Sequence, residues 1–102
     1  MTTTDIALTT FNYLGGRNKL KVMIGAKDFA YDSKNGDISF KFPRAKKGIN
    51  YIKIHLNGKD LYDITFGKIV KFDYTVINKI DDVYFDELKS SIEKTIGLYL
   101  SL

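Results

Sequence analysis

The stretch Phe42 to His55, FPRAKKGINYIKIH, concentrates the chain's options for chemistry: the only proline, three cationic side chains within four residues, then Lys53 and His55 alternating with apolar residues. His55 is the sole histidine and there is no cysteine. Disulfides, zinc–thiolate sites, thiol catalysis and iron–sulfur clusters are thereby excluded, and a histidine-based metal site lacks ligands. Nucleophilic catalysis would need a serine or threonine beside His55 and a carboxylate to orient its ring, for which only Asp63 or Asp73, on neighbouring strands, could serve. In a strand His55 stands on the exposed face, so an ordinary, partly covered histidine is expected and no catalytic residue is assigned.

The carboxylates offer little more. A magnesium site needs two of them converging at octahedral distances, and Asp60 and Asp63 have opposite parity in a strand. Asp81, Asp82 and Asp86 read as an N-cap with first-turn acids, the end of a helix that negative charge stabilises. Gly15-Gly16-Arg17-Asn18 could suggest a phosphate-binding turn, but such turns precede a helix N-terminus. Here the glycines read as the stop of one helix before a strand. No metal and no cofactor is expected.

A basic surface is the remaining candidate. Residues 1–59 hold 11 Lys/Arg against four Asp, a net +7, whereas residues 60–102 hold five Lys against eight Asp/Glu, a net −3. If Leu20, Ile38 and Ile52 mark the inward parity, then Lys19, Lys21, Lys41, Tyr51, Lys53 and His55 share one outer sheet face. Arg17, Arg44, Lys46 and Lys47 lie on adjoining loops. Cations with aromatic rings on a sheet are what a single-stranded nucleic-acid platform needs, because phosphates require positive charge and bases stack on rings. Only Tyr51 is identified as an exposed ring, fewer than the two or three that stacking requires. Lysines that merely keep an open sheet soluble are the competing explanation.

These residues need elements to position them. Thr3-Thr4-Asp5 followed by Ile6, Ala7, Phe11 and Leu14 predicts a helix ending near Leu14. Leu20, Val22 and Ile24 alternate with Lys19, Lys21 and Met23, predicting a strand. DFAYD and DISFKF flank Asn35-Gly36 as a hairpin, with Ile38, Phe40 and Phe42 inward. Ile52, Ile54 and Leu56 repeat the pattern before a second turn at Asn57-Gly58. Residues 60–77 exceed one ordinary strand of about 5–6 residues, which predicts a turn at Gly67-Lys68, with Tyr62, Ile64 and Phe66 inward before it and Val70, Phe72, Tyr74 and Val76 inward after it. Asp81-Asp82 then caps a helix with Phe85, Leu88, Ile92 and Ile96 as its apolar stripe, Lys94 late and Gly97 at its end. The expected fold is α+β: a single domain over 1–102, with an antiparallel sheet of five or six strands in a meander and an N-terminal and a C-terminal helix packed on one face.

The strings LGGRNKLKVMIGAKDFAYD, ISFKF, NYIKIHLNGKDLYDITFGKI and VYFDELKSSIEKTIGLYLSL together resemble a group of small, uncharacterised bacteriophage and mobile-element proteins, over nearly the whole chain. In that group's pattern a threonine stands where this chain has Ile24, so no role for a hydroxyl there carries over. The resemblance implies phage or mobile-element origin and an accessory role in the cytoplasm of an infected bacterium. It supplies no site residues.

No apolar run approaches the roughly 20 residues that span a bilayer, and the N-terminus lacks a signal peptide's basic and apolar regions, so no membrane partner is expected. Two functions stand against each other: a non-enzymatic binding module whose basic N-terminal half engages nucleic acid or a nucleoprotein, and an inhibitor or adaptor that binds a host protein such as a defence enzyme. The apolar tail GLYLSL would serve the second unless it docks on the domain. An exposed strand or that tail would also permit homo-oligomerisation.

Overall fold

The computed structural model describes residues 2–43 and 45–100. Helices α1 (Thr3–Tyr13) and α2 (Arg17–Ile24) lead into strands β1 (Lys27–Tyr31), β2 (Ile38–Lys41), β3 (Tyr51–Leu56), β4 (Tyr62–Val70) and β5 (Asp73–Val83), and helix α3 (Leu88–Ile96) follows. The five strands are antiparallel and lie in chain order, an α+β meander. Ile38, Phe40, Ile52, Ile54, Ile64 and Phe66 form the inner face, against which Phe11, Leu14, Leu20, Leu88, Ile92 and Ile96 pack in one core. The helices thus cover one face and leave the other open.

Each helix end has a local cause. The Thr2 hydroxyl accepts the Asp5 backbone N–H and the Asp5 carboxylate accepts that of Thr2, a capping box that starts α1 slightly earlier than the predicted threonines. At the other end the Gly15 and Gly16 N–H groups donate to Asn12 and Phe11 carbonyls, and the left-handed backbone this requires is free of penalty only in glycine (φ +97° at Gly15).

Three predicted elements are corrected. The strand expected at residues 19–24 is helix α2, with Leu20 and Ile24 buried four residues apart and Val22 83% exposed. In a segment of eight residues Leu-Lys-Val-Met-Ile fits both periods, so spacing alone does not choose. Gly15-Gly16 consequently ends one helix and begins another, rather than preceding a strand.

The predicted turn at Gly67-Lys68 is no turn. β4 runs on to Val70, the chain reverses at Lys71-Phe72, and the irregularity near Gly67 is a bulge in which Ile77 is the extra residue of β5. This changes the facing of the next segment. Val70, Phe72, Tyr74 and Val76, expected inward, are all exposed.

Asp81 and Asp82 belong to β5 instead of capping α3. The Asp63 carboxylate accepts the Asp82 N–H, and Asn57 donates to both carboxylates. Burial raises the Asp63 pKa, but these hydrogen bonds favour the charged form more strongly and hold it below the ordinary value. A 3₁₀ turn, Phe85–Glu87, supplies the acidic start of α3. Leu88, Ile92 and Ile96 form its buried stripe, while Phe85 stays half exposed against Tyr13.

The tail docks through Leu100, which is fully buried and whose N–H donates to the Glu93 carboxylate at 2.8 Å. Among the described residues no helix is long and apolar enough to cross a membrane.

Tyr62 gives the fold a pH dependence. Burial pushes its hydroxyl above the ordinary 10.0, only partly offset by the Thr10 hydroxyl 3.3 Å away. A raised folded-state pKa stabilises below the unfolded value and is lost as pH rises through the folded value. Thermal melts should therefore hold steady from pH 7 to 9 and weaken above about pH 10, and Tyr62→Phe should flatten part of that alkaline decline. An unchanged decline in the variant would place its origin elsewhere.

Candidate functional site

Four predicted site residues, Lys41, Tyr51, Lys53 and His55, share the open face as expected. β2–β3 register sets Lys41 beside Tyr51, and Ser39 beside Lys53. Arg17, Lys19 and Lys21 do not join them, because helix α2 replaces the expected strand. They lie in the helical layer, where the Arg17 guanidinium sits over Phe11 at 5.9 Å and the Lys21 ammonium over Phe29 at 5.8 Å. Lys46 and Lys47 occupy the 3₁₀ turn Lys46–Gly48 between β2 and β3. Arg44 falls outside the described residues.

Around Lys53 and His55 the open face is charge-balanced. Asp37, from the β1–β2 loop and 6% exposed, accepts from His55 Nδ1 at 2.5 Å and lies 3.7 Å from the Lys53 ammonium. Lys79 pairs with Asp81 at 3.6 Å. Asp37, Lys53, His55 and Lys79, with Asp63 and Thr65, line an open depression of about 300 Å³. Its charges of opposite sign face one another and leave little attraction for an anion.

Asp37 is the orienting carboxylate that sequence reading did not name; Asp73 lies at the far end of β5, and Asp63 faces His55 across the register but hydrogen-bonds elsewhere. An Asp–His pair is two-thirds of a catalytic triad. Yet the hydroxyl residues of this face, Ser39 and Thr65, are the register partners of Lys53, not of His55. The pair acts as a latch that fastens the β1–β2 loop to β3.

Charge separates along the strands rather than across the face. Among the described residues, the end at which β2 and β4 finish collects Lys27, Lys41, Lys46, Lys47, Lys68 and Lys71, together with Asp28 and Asp73. The opposite end collects Asp32, Asp37, Asp60, Asp63, Asp81 and Asp82, with Lys34, Lys59 and Lys79. At the basic end Lys27, Lys41, Asn50 and Ile69 line a depression of about 540 Å³. Lys41 is paired there with Asp28 at 3.8 Å, both groups being exposed, so solvent screens the pair.

No family model matches the chain, and no curated protein and no solved structure is significantly similar to it. What the site can do therefore follows from its geometry.

Sequence reading missed Lys68, Lys71, Phe72 and Tyr74, all in the β4–β5 ribbon that extends past β3. The Asn50 side chain holds this ribbon as a strand would, donating to the Ile69 carbonyl and accepting the Ile69 N–H, each at 2.8 Å. Tyr74 crosses β4 at Gly67: a Cβ added there would come within 2.4 Å of the Tyr74 ring and 3.3 Å of Tyr51. Glycine is required at 67 for that close approach, and the two tyrosine rings meet edge to face at 5.5 Å. Burial, then the neighbouring Tyr51, raises the Tyr74 hydroxyl pKa, keeping the ring neutral.

Proposed function

We propose that the protein is a non-enzymatic binding module that engages an anionic surface, nucleic acid or nucleoprotein, through the lysine-rich end of its sheet. The observation that carries this reading is the gathering, among the described residues, of six lysines from both halves of the chain, facing two aspartates. Clustered lysines bind polyanions by releasing condensed counterions, without any fitted pocket. The resemblance of its strings to small phage proteins supports an accessory role in the bacterial cytoplasm.

Polarisation titrations with labelled single- and double-stranded oligonucleotides, at about 50 and 200 mM salt, test it. Micromolar binding at low salt that weakens steeply at the higher salt is expected; absence of salt-sensitive binding would sink the proposal.

A second reading, an inhibitor or adaptor directed at a host protein, is favoured by β5. This 11-residue strand lies at the sheet edge, where one row of backbone groups is open to pairing with a partner strand. A stoichiometric protein partner surviving nuclease treatment in a pull-down from the host would favour it over the first.

A further inference from the structure

We infer that the β4–β5 ribbon is a base-stacking platform for single-stranded nucleic acid, with Phe72 and Tyr74 as the stacking rings. The inference rests on the anionic-partner reading above and names the partner. Phe72 sits at the reversal of the ribbon, wholly exposed, directly after Lys71. Tyr74 is 51% exposed while one side of it is seated on Gly67 and against Tyr51. A ring that is held in place yet half open has lost its freedom before a ligand arrives, which lowers the cost of ordering it on binding.

The surroundings supply the rest of such a site. Lys27 and Lys41 lie in the same cross-strand row as Tyr51 and Gly67, and Lys71 flanks Phe72. Rings interleaved with lysines match a strand of unpaired nucleotides, whose bases present flat apolar faces and whose phosphates alternate with them. A protein partner could cover the same apolar rings, but six lysines at this end would then have to be desolvated or matched by acids. A duplex presents phosphates without free base faces, so it would use the lysines and leave the rings idle.

The test compares a 12-mer oligothymidylate with the same strand in duplex, for wild type, Phe72→Ala, Tyr74→Ala, Tyr74→Phe and the Lys68→Glu/Lys71→Glu pair. Thermal melting confirms folding of each; Phe72, wholly exposed, is the position least able to disturb it. Loss of either ring should weaken the single strand by at least about fivefold and leave duplex affinity and the salt slope unchanged. Tyr74→Phe should bind as wild type, and quenching of tyrosine fluorescence should accompany single-strand binding. If both alanine variants bind the single strand as wild type does while the lysine pair weakens it, stacking is wrong and the anionic reading stands. If Phe72→Ala weakens the duplex instead, the ring is a wedge into paired bases and the single-strand assignment is overturned. If wild type binds neither probe, both readings fall together.

Discussion

Reversing Lys68 and Lys71 to glutamate is expected to weaken oligonucleotide binding by about 100-fold or more at low salt. Each reversal removes an attraction and adds a repulsion of about 1 kcal/mol at contact distance in water, and two such sites multiply. Both residues are exposed or half-exposed on the ribbon, so the fold should survive. Lys19→Glu/Lys21→Glu makes the same change in net charge on α2, away from the sheet end, and should cost only a few-fold. The contrast separates the two ways of reading the basic charge. If the α2 pair matters as much as the ribbon pair, the protein binds through total charge or its N-terminal half, and the sheet end has no special role.

Phe40→Ala is expected to have the largest effect on stability. Phe40 is fully buried on β2, with ring centroids 5.9 Å from Phe29 and 6.3 Å from Phe42, and Phe29 continues the chain of rings to Phe11 on α1. Its loss leaves a cavity between sheet and helices worth about 3–5 kcal/mol. That is a large part of the roughly 5–15 kcal/mol that holds a domain folded, and should lower Tm by about 15–30 °C. Val22→Ala, by contrast, should shift stability by less than about 0.5 kcal/mol. Were residues 19–24 a strand with Val22 inward, that substitution would cost well over 1 kcal/mol. Chemical denaturation of both variants measures each difference.

How much of this was legible follows from where each signal is local. The inward sets Ile38/Phe40/Phe42, Ile52/Ile54 and Tyr62/Ile64/Phe66 were readable because strand alternation needs only a few residues to declare a face. Leu88, Ile92 and Ile96 with Gly97 were readable for the corresponding helical reason. Gly67 misled because glycine is a common turn residue, whereas here it makes room for a ring from β5, a contact between strands that local sequence does not carry. The true reversal at Lys71-Phe72 has no glycine or asparagine; Lys71 itself adopts a left-handed φ of 56°. Moving that turn by a few residues reversed the facing of Tyr74 and Val76, and with it the ring count that had spoken against stacking.

The site was half legible for a related reason. Sequence segregates charge by halves, but a meander folds each half back and forth, so that charge is sorted by strand end. Lys68 and Lys71 come from the acidic half, and Lys19 and Lys21 from the basic half leave the sheet once α2 is a helix. Asp37 was missed because a loop aspartate next to Gly36 reads as turn chemistry, and only the paired strands bring it to His55.

Amide chemical-shift mapping of the labelled protein with a short oligothymidylate tests the central claim most directly. Perturbations should concentrate at Lys27, Lys41, Lys46–Gly48, Tyr51 and residues 67–76. Shifts centred on α2 or on the acidic end near Asp63 and Asp82, or no shifts at saturating oligonucleotide, would contradict binding through the lysine-rich end of the sheet.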